Sequence, residues 1–283
     1  MTLSRDAVFV GVDWLADHLD APDVVVVDGS WHLPTTGRDA RAEYLAGHIP
    51  GAVFFDIDAI ADTASGLPHM LPKPEAFASA VRKLGIGDGQ RIVIYDAHGL
   101  FSAPRVRWTF RTMGARDVVI LEGGLAAWVA AGHPLESGPV ERGPRHFTAR
   151  LDNTAVRSID DVKAALAAGS AQVVDARSRG RFTGEQPEPR PGVRSGHMPG
   201  SVNVPLDRLV ENGRLRSPDQ LRAAFAEAGV DPARPVITSC GSGVTAAVVA
   251  LALDTIGARS TAVYDGSWAE WGGRDDTPVA TGD

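Results

Sequence analysis

Short, mostly apolar runs rich in β-branched residues alternate along the chain with stretches whose apolar positions recur every three or four residues. "VVVVD" (24–28), "RIVIY" (91–95), "VVIL" (118–121), "QVVD" (172–175), "PVITS" (235–239) and "TAVY" (261–264) have the length and composition of strands buried on both faces. Between them, "DWLADHL" (13–19), "PEAFASAVRKLG" (74–85), "APRVRWTFRTMG" (103–114), "IDDVKAALAAG" (159–169), "PDQLRAAFAEAG" (218–229) and "GVTAAVVALALDTIG" (243–257) carry helical periodicity. Strands that alternate with helices predict an α/β fold whose parallel sheets are covered by helices on both faces.

The pattern occurs twice. "VVVVDGSW" (24–31) corresponds to "QVVDARS" (172–178), and "AGHIPGAVFFDID" (46–58) to "SGHMPGSVNVPLD" (195–207). "RIVIYD" (91–96) then corresponds to "PVITSC" (235–240), and "VVILEGGLAAW" (118–128) to "TAVYDGSWAEW" (261–271). Four matches in one order, at offsets between 143 and 149 residues, describe a duplicated domain, because this period is far too long for a solenoid. We place the first domain at 1–138, a linker rich in Gly, Pro and charge at 139–155, and the second domain at 156–283.

Composition narrows the function. Hydrophobic residues make up 44% and charged residues 22% of the 283, ordinary globular usage. Acidic side chains outnumber basic ones, 35 to 28, and no long basic run occurs, so neither nucleic acid nor an anionic membrane is an expected partner. The start of the chain lacks the pattern of a signal or transit peptide, and no apolar run approaches the roughly 18 residues of a spanning helix. With one cysteine no internal disulfide can form, and a cytoplasmic location is expected.

That cysteine, Cys240, ends a strand and opens "CGSGVT" before a helix expected to start near Val244. Gly241 and Gly243 permit a tight loop, and the backbone amides of Gly241, Ser242, Gly243, Val244 and Thr245 are expected to turn inward as an anion-stabilising nest. Such a nest favours a thiolate and raises its nucleophilicity. Ala246 stands where a cysteine phosphatase needs its arginine, the histidines cluster in the first half, and Cys240 takes the first glycine position of a serine-hydrolase elbow. One additional sulfur atom fits so small a cradle: a persulfide is an anion that amides alone can hold. In the first half Asp96 occupies the corresponding position, and a carboxylate cannot carry sulfur, so that half is expected to be catalytically silent.

Two α/β repeats, the paired "GH-[IM]-PG" segments and "CGSGVT" resemble the tandem rhodanese-type sulfurtransferases over essentially the whole chain. The uncharged Gly241 and Ser242 are similar to the 3-mercaptopyruvate branch, since thiosulfate-specific members carry basic residues after the cysteine. The resemblance implies two rhodanese-like domains and transfer of sulfur from 3-mercaptopyruvate, through a Cys240 persulfide, to a thiol or cyanide with release of pyruvate. It places donor-binding arginines at Arg181 and Arg190 in "GRFTGEQPEPR" (180–190), and a relay of Asp58, His69 and Ser242 beside the cysteine. It implies no cofactor and no metal, and an acceptor such as thioredoxin or a small thiol. His48 and His197, present in both "GH-x-PG" copies, read as fold residues, while Arg177, Arg179 and Arg194 have no assigned role. A thiosulfate:cyanide sulfurtransferase with the same mechanism, a non-catalytic rhodanese-like binding module and a cysteine phosphatase are the competing readings.

Overall fold

A computed structural model describes residues 7–282. The first half contains β1 (Phe9–Val10), α1 (Val12–His18), β2 (Val24–Asp28), α2 (Ala40–Ala46), β3 (Val53–Phe54), α3 (Pro74–Lys83), β4 (Arg91–Tyr95), α4 (Ala103–Thr112), β5 (Val118–Leu121) and α5 (Gly124–Ala130). The second repeats the plan with β6 (Val156–Arg157), α6 (Ile159–Ala168), β7 (Gln172–Asp175), α7 (Arg179–Thr183), β8 (Val202–Asn203), β9 (Val210–Glu211), β10 (Arg214–Leu215), α8 (Pro218–Glu227), β11 (Val236–Ser239), α9 (Ala246–Thr255), β12 (Thr261–Tyr264) and α10 (Ser267–Trp271). Each half forms a five-stranded parallel sheet, in the equivalent orders β1-β5-β4-β2-β3 and β6-β12-β11-β7-β8. Strands β9 and β10 form a small antiparallel hairpin between β8 and α8.

The apolar runs explain the layers. In β2, Val24 and Val26 face Leu15 and Trp128 on one side of the sheet, while Val25 and Val27 face Phe77, Val81, Val106 and Phe110 on the other. Each such buried side chain contributes about 1.5–3 kcal/mol. The second sheet packs Val173, Ile237 and Tyr264 against α6 and α10 on one face. Val174, Val236 and Val263 cover the other face against α8 and α9. Helices α4 and α9 pack on each other, so one core runs through both halves.

The connection between the halves is a strap rather than a free tether. Residues 139–152 have no helix or strand. Even so, the Arg150 and Asp152 amides donate to the Met113 and Thr112 carbonyls at 2.9 and 2.8 Å, and the Asp88 amide donates to His146 at 2.8 Å. Phe147 anchors the strap between the rings of Phe77 and Phe110. The arrangement fixes the two halves side by side, and residues from both line the cleft that contains Cys240.

Candidate active site

Cys240 follows β11 and is 2% exposed. Its amide donates to Ser267 Oγ at 3.2 Å. Its carbonyl accepts from Trp268 N–H at 2.9 Å, and the Gly241 carbonyl accepts from Ala269 N–H at 2.8 Å. With these carbonyls committed to α10, the loop turns back over the sulfur, and Gly243 N–H donates to Cys240 Sγ at 3.1 Å. Gly243 has φ +81°, and a Cβ there would lie 2.9 Å from Arg105 Nη1 and 3.0 Å from the Asp265 carbonyl, so glycine is required. Helix α9 starts at Ala246 rather than near Val244, because Val244 and Thr245 complete the turn around the sulfur before the helical ladder begins. Val244 and Thr245 line the cavity beside Cys240, which has a volume of about 160 Å³.

Both predicted arginines line that cavity. Arg190 Nη2 donates to Ser242 Oγ at 3.3 Å and has no carboxylate partner among the described residues. Burial pulls the Arg190 guanidinium below its usual range, and its proximity to Cys240 partly offsets this. Arg181 Nη2 lies 3.0 Å from the point where a Cβ on Gly241 would stand, so it overhangs the residue next to the nucleophile. Its Nε and Nη2 both donate to Glu188, at 3.1 and 2.5 Å.

Asp58 and His69 reach the same loop from the first half. Asp58 Oδ1 pairs with His69 Nε2 at 2.9 Å, and Trp31 Nε1 donates to Asp58 Oδ2 at 3.0 Å. The hydrogen bond from His69 holds the Asp58 carboxyl below the usual carboxylate range, against the opposing effect of burial. His69 Nδ1 donates at 3.2 Å to the carbonyl of Ser242, whereas the Ser242 hydroxyl is held by Arg190. The three relay residues therefore meet, with the last link running from the His69 ring to the Ser242 carbonyl and the Ser242 hydroxyl facing Arg190.

A buried ion pair fixes this contact between the halves. Arg105 of α4 pairs with Asp265 at 2.7 Å and donates from Nη2 to the His69 carbonyl at 2.5 Å. Asp265 Oδ2 also accepts from Leu71 N–H at 2.6 Å. His69 itself has φ +62°, a strained position for a non-glycine residue that these bonds hold in place.

In the first half the equivalent loop already contains an anion. Asp96 is fully buried; its Oδ1 accepts from His98 N–H at 2.8 Å, and its Oδ2 accepts from the amides of Phe101, Ser102 and Ala103 at 2.8, 2.9 and 2.8 Å. Four backbone donors converge on one carboxylate, which demonstrates the inward-facing amide nest in this fold.

The comparisons with known proteins follow the same division. The rhodanese-like domain matches twice, at residues 11–131 and 158–274. A 3-mercaptopyruvate sulfurtransferase of Escherichia coli is 50% identical over 272 residues, covering 96% of this chain and 97% of the relative. The chain belongs to the rhodanese family. A crystal structure of a 3-mercaptopyruvate sulfotransferase from Escherichia coli superposes with TM-score 0.86 at 48% identity, covering 92% of this chain and 98% of the other. A bovine thiosulfate sulfurtransferase is 44% identical over 270 residues, covering 93% of this chain and 91% of the relative. The two-domain parallel fold expected from the sequence is thus the fold observed, with the rhodanese architecture in each half.

Several side chains gain structural roles within this rhodanese frame. His48 Nδ1 donates to the Tyr44 carbonyl and its ring stacks on Tyr44; His197 donates to the Phe182 carbonyl and stacks on Phe182. Arg177 pairs with Asp175 and Glu188, and Arg194 donates to carbonyls of Trp271, Gly272 and Thr277. Burial opposes the charge on Arg177, but Asp175 and Glu188 outweigh it and raise its pKa. Trp31, Glu188 and the Arg105–Asp265 pair were not singled out by the sequence analysis. "PEPR" (187–190) places Glu188 two residues before Arg190, and this is the one sequence signal that could have flagged it. Among the described residues, no group of three or more His, Cys, Asp or Glu is placed to hold a metal ion, and no helix is long and apolar enough to cross a membrane.

Proposed function

We propose that the protein is a sulfurtransferase that takes sulfur from 3-mercaptopyruvate and passes it, through a persulfide on Cys240, to a thiol or to cyanide. The Cys240 thiolate attacks the donor sulfur; the carbon–sulfur bond breaks and its electron pair passes to the pyruvate enolate. The donor's thiol proton finishes on the methyl carbon of pyruvate, leaving Cys–S–S⁻ on the protein. The acceptor then removes the outer sulfur as sulfane. Inward amides of the 241–245 loop hold the persulfide, Arg181 and Arg190 together hold the donor's carboxylate, and Asp58 and His69 fix the loop through the Ser242 carbonyl.

The observation that carries this reading is a single amide-held cysteine at the floor of a small cavity whose cations lie on its wall. Arg181 shares its charge with Glu188, which leaves Arg190 as the uncompensated cation among the described lining residues. One carboxylate matches that balance better than the two charges of thiosulfate. A protein thiol such as thioredoxin and a small thiol are both chemically competent acceptors in a cytoplasmic setting. The first half, with Asp96 in place of the cysteine, shapes the cleft and carries no sulfur.

Steady-state kinetics with a common thiol acceptor test the donor. We expect kcat/KM for 3-mercaptopyruvate to exceed that for thiosulfate by about tenfold or more, the worth of one well-placed charge-assisted contact. A preference for thiosulfate would reassign the protein to the thiosulfate branch.

A further inference from the structure

Glu188 lies at the centre of a chain of charged groups that ends over the cysteine loop. Its side chain is 3% exposed. Oε1 accepts from Arg177 Nη1 at 2.8 Å and from Arg181 Nε at 3.1 Å, while Oε2 accepts from Arg181 Nη2. Arg177 is fixed in turn: its Nε and Nη2 donate to Asp175 Oδ2 at 3.0 and 2.7 Å, and its guanidinium lies 4.2 Å from the Trp268 ring centre. The order Asp175–Arg177–Glu188–Arg181 thus leads from the end of β7 to the edge of Gly241. Arg181 extends from the five-residue helix α7, and its side chain has no other hydrogen-bond partner among the described residues that would select one rotamer. In the first half Ser30 stands two residues after Asp28, where Arg177 follows Asp175, so the chain of charges belongs to the cysteine-bearing half alone.

We propose that Glu188 is a positioning residue for donor recognition: it holds Arg181 over the cysteine loop in the orientation that receives the donor's carboxylate. Pro187 and Pro189 flank Glu188 and restrict the backbone, so the same anchor also sets where Arg190 begins two residues later. This inference rests on the reading in which Arg181 and Arg190 take the donor's carboxylate, and its test keeps the two apart.

The single cysteine provides a probe that needs no sulfur donor. Iodoacetate and iodoacetamide alkylate the same thiol and differ in one carboxylate, so the ratio of their rates at Cys240, normalised to a free thiol, reports carboxylate recognition at the site. The normalised ratio should favour iodoacetate in the unaltered protein; equality with the free thiol would contradict the arginine reading itself. Arg181→Gln should lower the ratio by about tenfold. Glu188→Asp keeps the charge but is too short to bridge both arginines, and should lower the ratio towards the Arg181→Gln value. With 3-mercaptopyruvate it should raise KM by about tenfold and change kcat by less than about twofold, since the interaction forms in the ground state as well as the transition state.

An unchanged ratio in Glu188→Asp, beside a lowered one in Arg181→Gln, would overturn the proposal and leave the function standing. An unchanged ratio in Arg181→Gln would also overturn it, because nothing useful would then be positioned. If the shortened side chain prevents folding, Glu188→Gln retains the length and one acceptor. A fall in its ratio supports positioning, and a rise would show that Glu188 acts only through its charge, which also overturns the proposal.

Discussion

Two loops at equivalent places in the two halves treat an anion in opposite ways. After β4, Asp96 fills its loop with its own carboxylate and satisfies four backbone amides. After β11, Cys240 receives one amide, from Gly243, and borders an open cavity. The first loop has six residues between Asp96 and α4, and the second has five between Cys240 and α9. One nest is closed on the side chain of Asp96. The other opens onto the cavity beside Cys240. The difference shows that an inward-facing amide loop is common to both halves, whereas the proposed chemistry has two further requirements, a thiol and the arginines beside it, that only the second half meets.

The largest expected effect separates those two requirements. Asp96→Cys combined with Cys240→Ser places the only thiol in the closed loop, where no counterpart of Arg177 is present. We expect no sulfur on that protein after 3-mercaptopyruvate, by intact mass; loading at position 96 would break the comparison by showing that loop and thiol suffice.

Asp96→Ala removes the resident carboxylate and leaves four backbone donors, two of them buried, without that acceptor. Denaturant unfolding should show a loss of about 3 kcal/mol or more, with donor kcat/KM per folded molecule within about threefold. Gly243→Ala forces a Cβ against Arg105 and the Asp265 carbonyl at positive φ, and should cost about 2 kcal/mol of transition-state stabilisation, read as a fall in kcat/KM of about thirtyfold.

The smallest effect concerns what the first half lends to the second. Asp58→Asn weakens the hold on His69 and should lower kcat/KM by about tenfold at neutral pH. The carboxyl of Asp58 is depressed by His69. In the folded protein, where kcat/KM is read, its contribution is therefore complete above that depressed value and is lost only as pH falls through it, below the ordinary carboxylate value of about 4. The gap between the two proteins should stay constant above about pH 4 and narrow below it. A gap that changed between pH 6 and 8 would place the titration elsewhere.

The duplicated strands and long helices were legible because each carries its own periodic apolar pattern. Strands β1, β3, β6 and β8 were not, because two residues are too few to show a period and their pairing depends on longer neighbours. Cys240 stood out because its loop chemistry is local in sequence. The Asp58–His69 contact with Ser242 could be suggested only by resemblance, since 173 residues separate His69 from Ser242 and the sequence cannot say which oxygen the ring meets. Arg105 and Asp265 were hidden for the same reason: neither has a local motif, and their pairing exists only because α4 packs on α9. Among the arginines of 177–194, Arg181 and Arg190 could be singled out only through the resemblance, because all of them lie in the same Gly/Pro-rich stretch and their surroundings are set by the fold.

By this reading only the second loop accepts sulfur from a carboxylate-bearing donor. The most direct test is a single turnover of purified protein with a stoichiometric amount of 3-mercaptopyruvate, followed by pyruvate release and intact mass, with Cys240→Ser in parallel. We predict one pyruvate and one added sulfur per chain, both absent from the substituted protein. Pyruvate release without added sulfur, or added sulfur that persists after Cys240→Ser, would contradict the account.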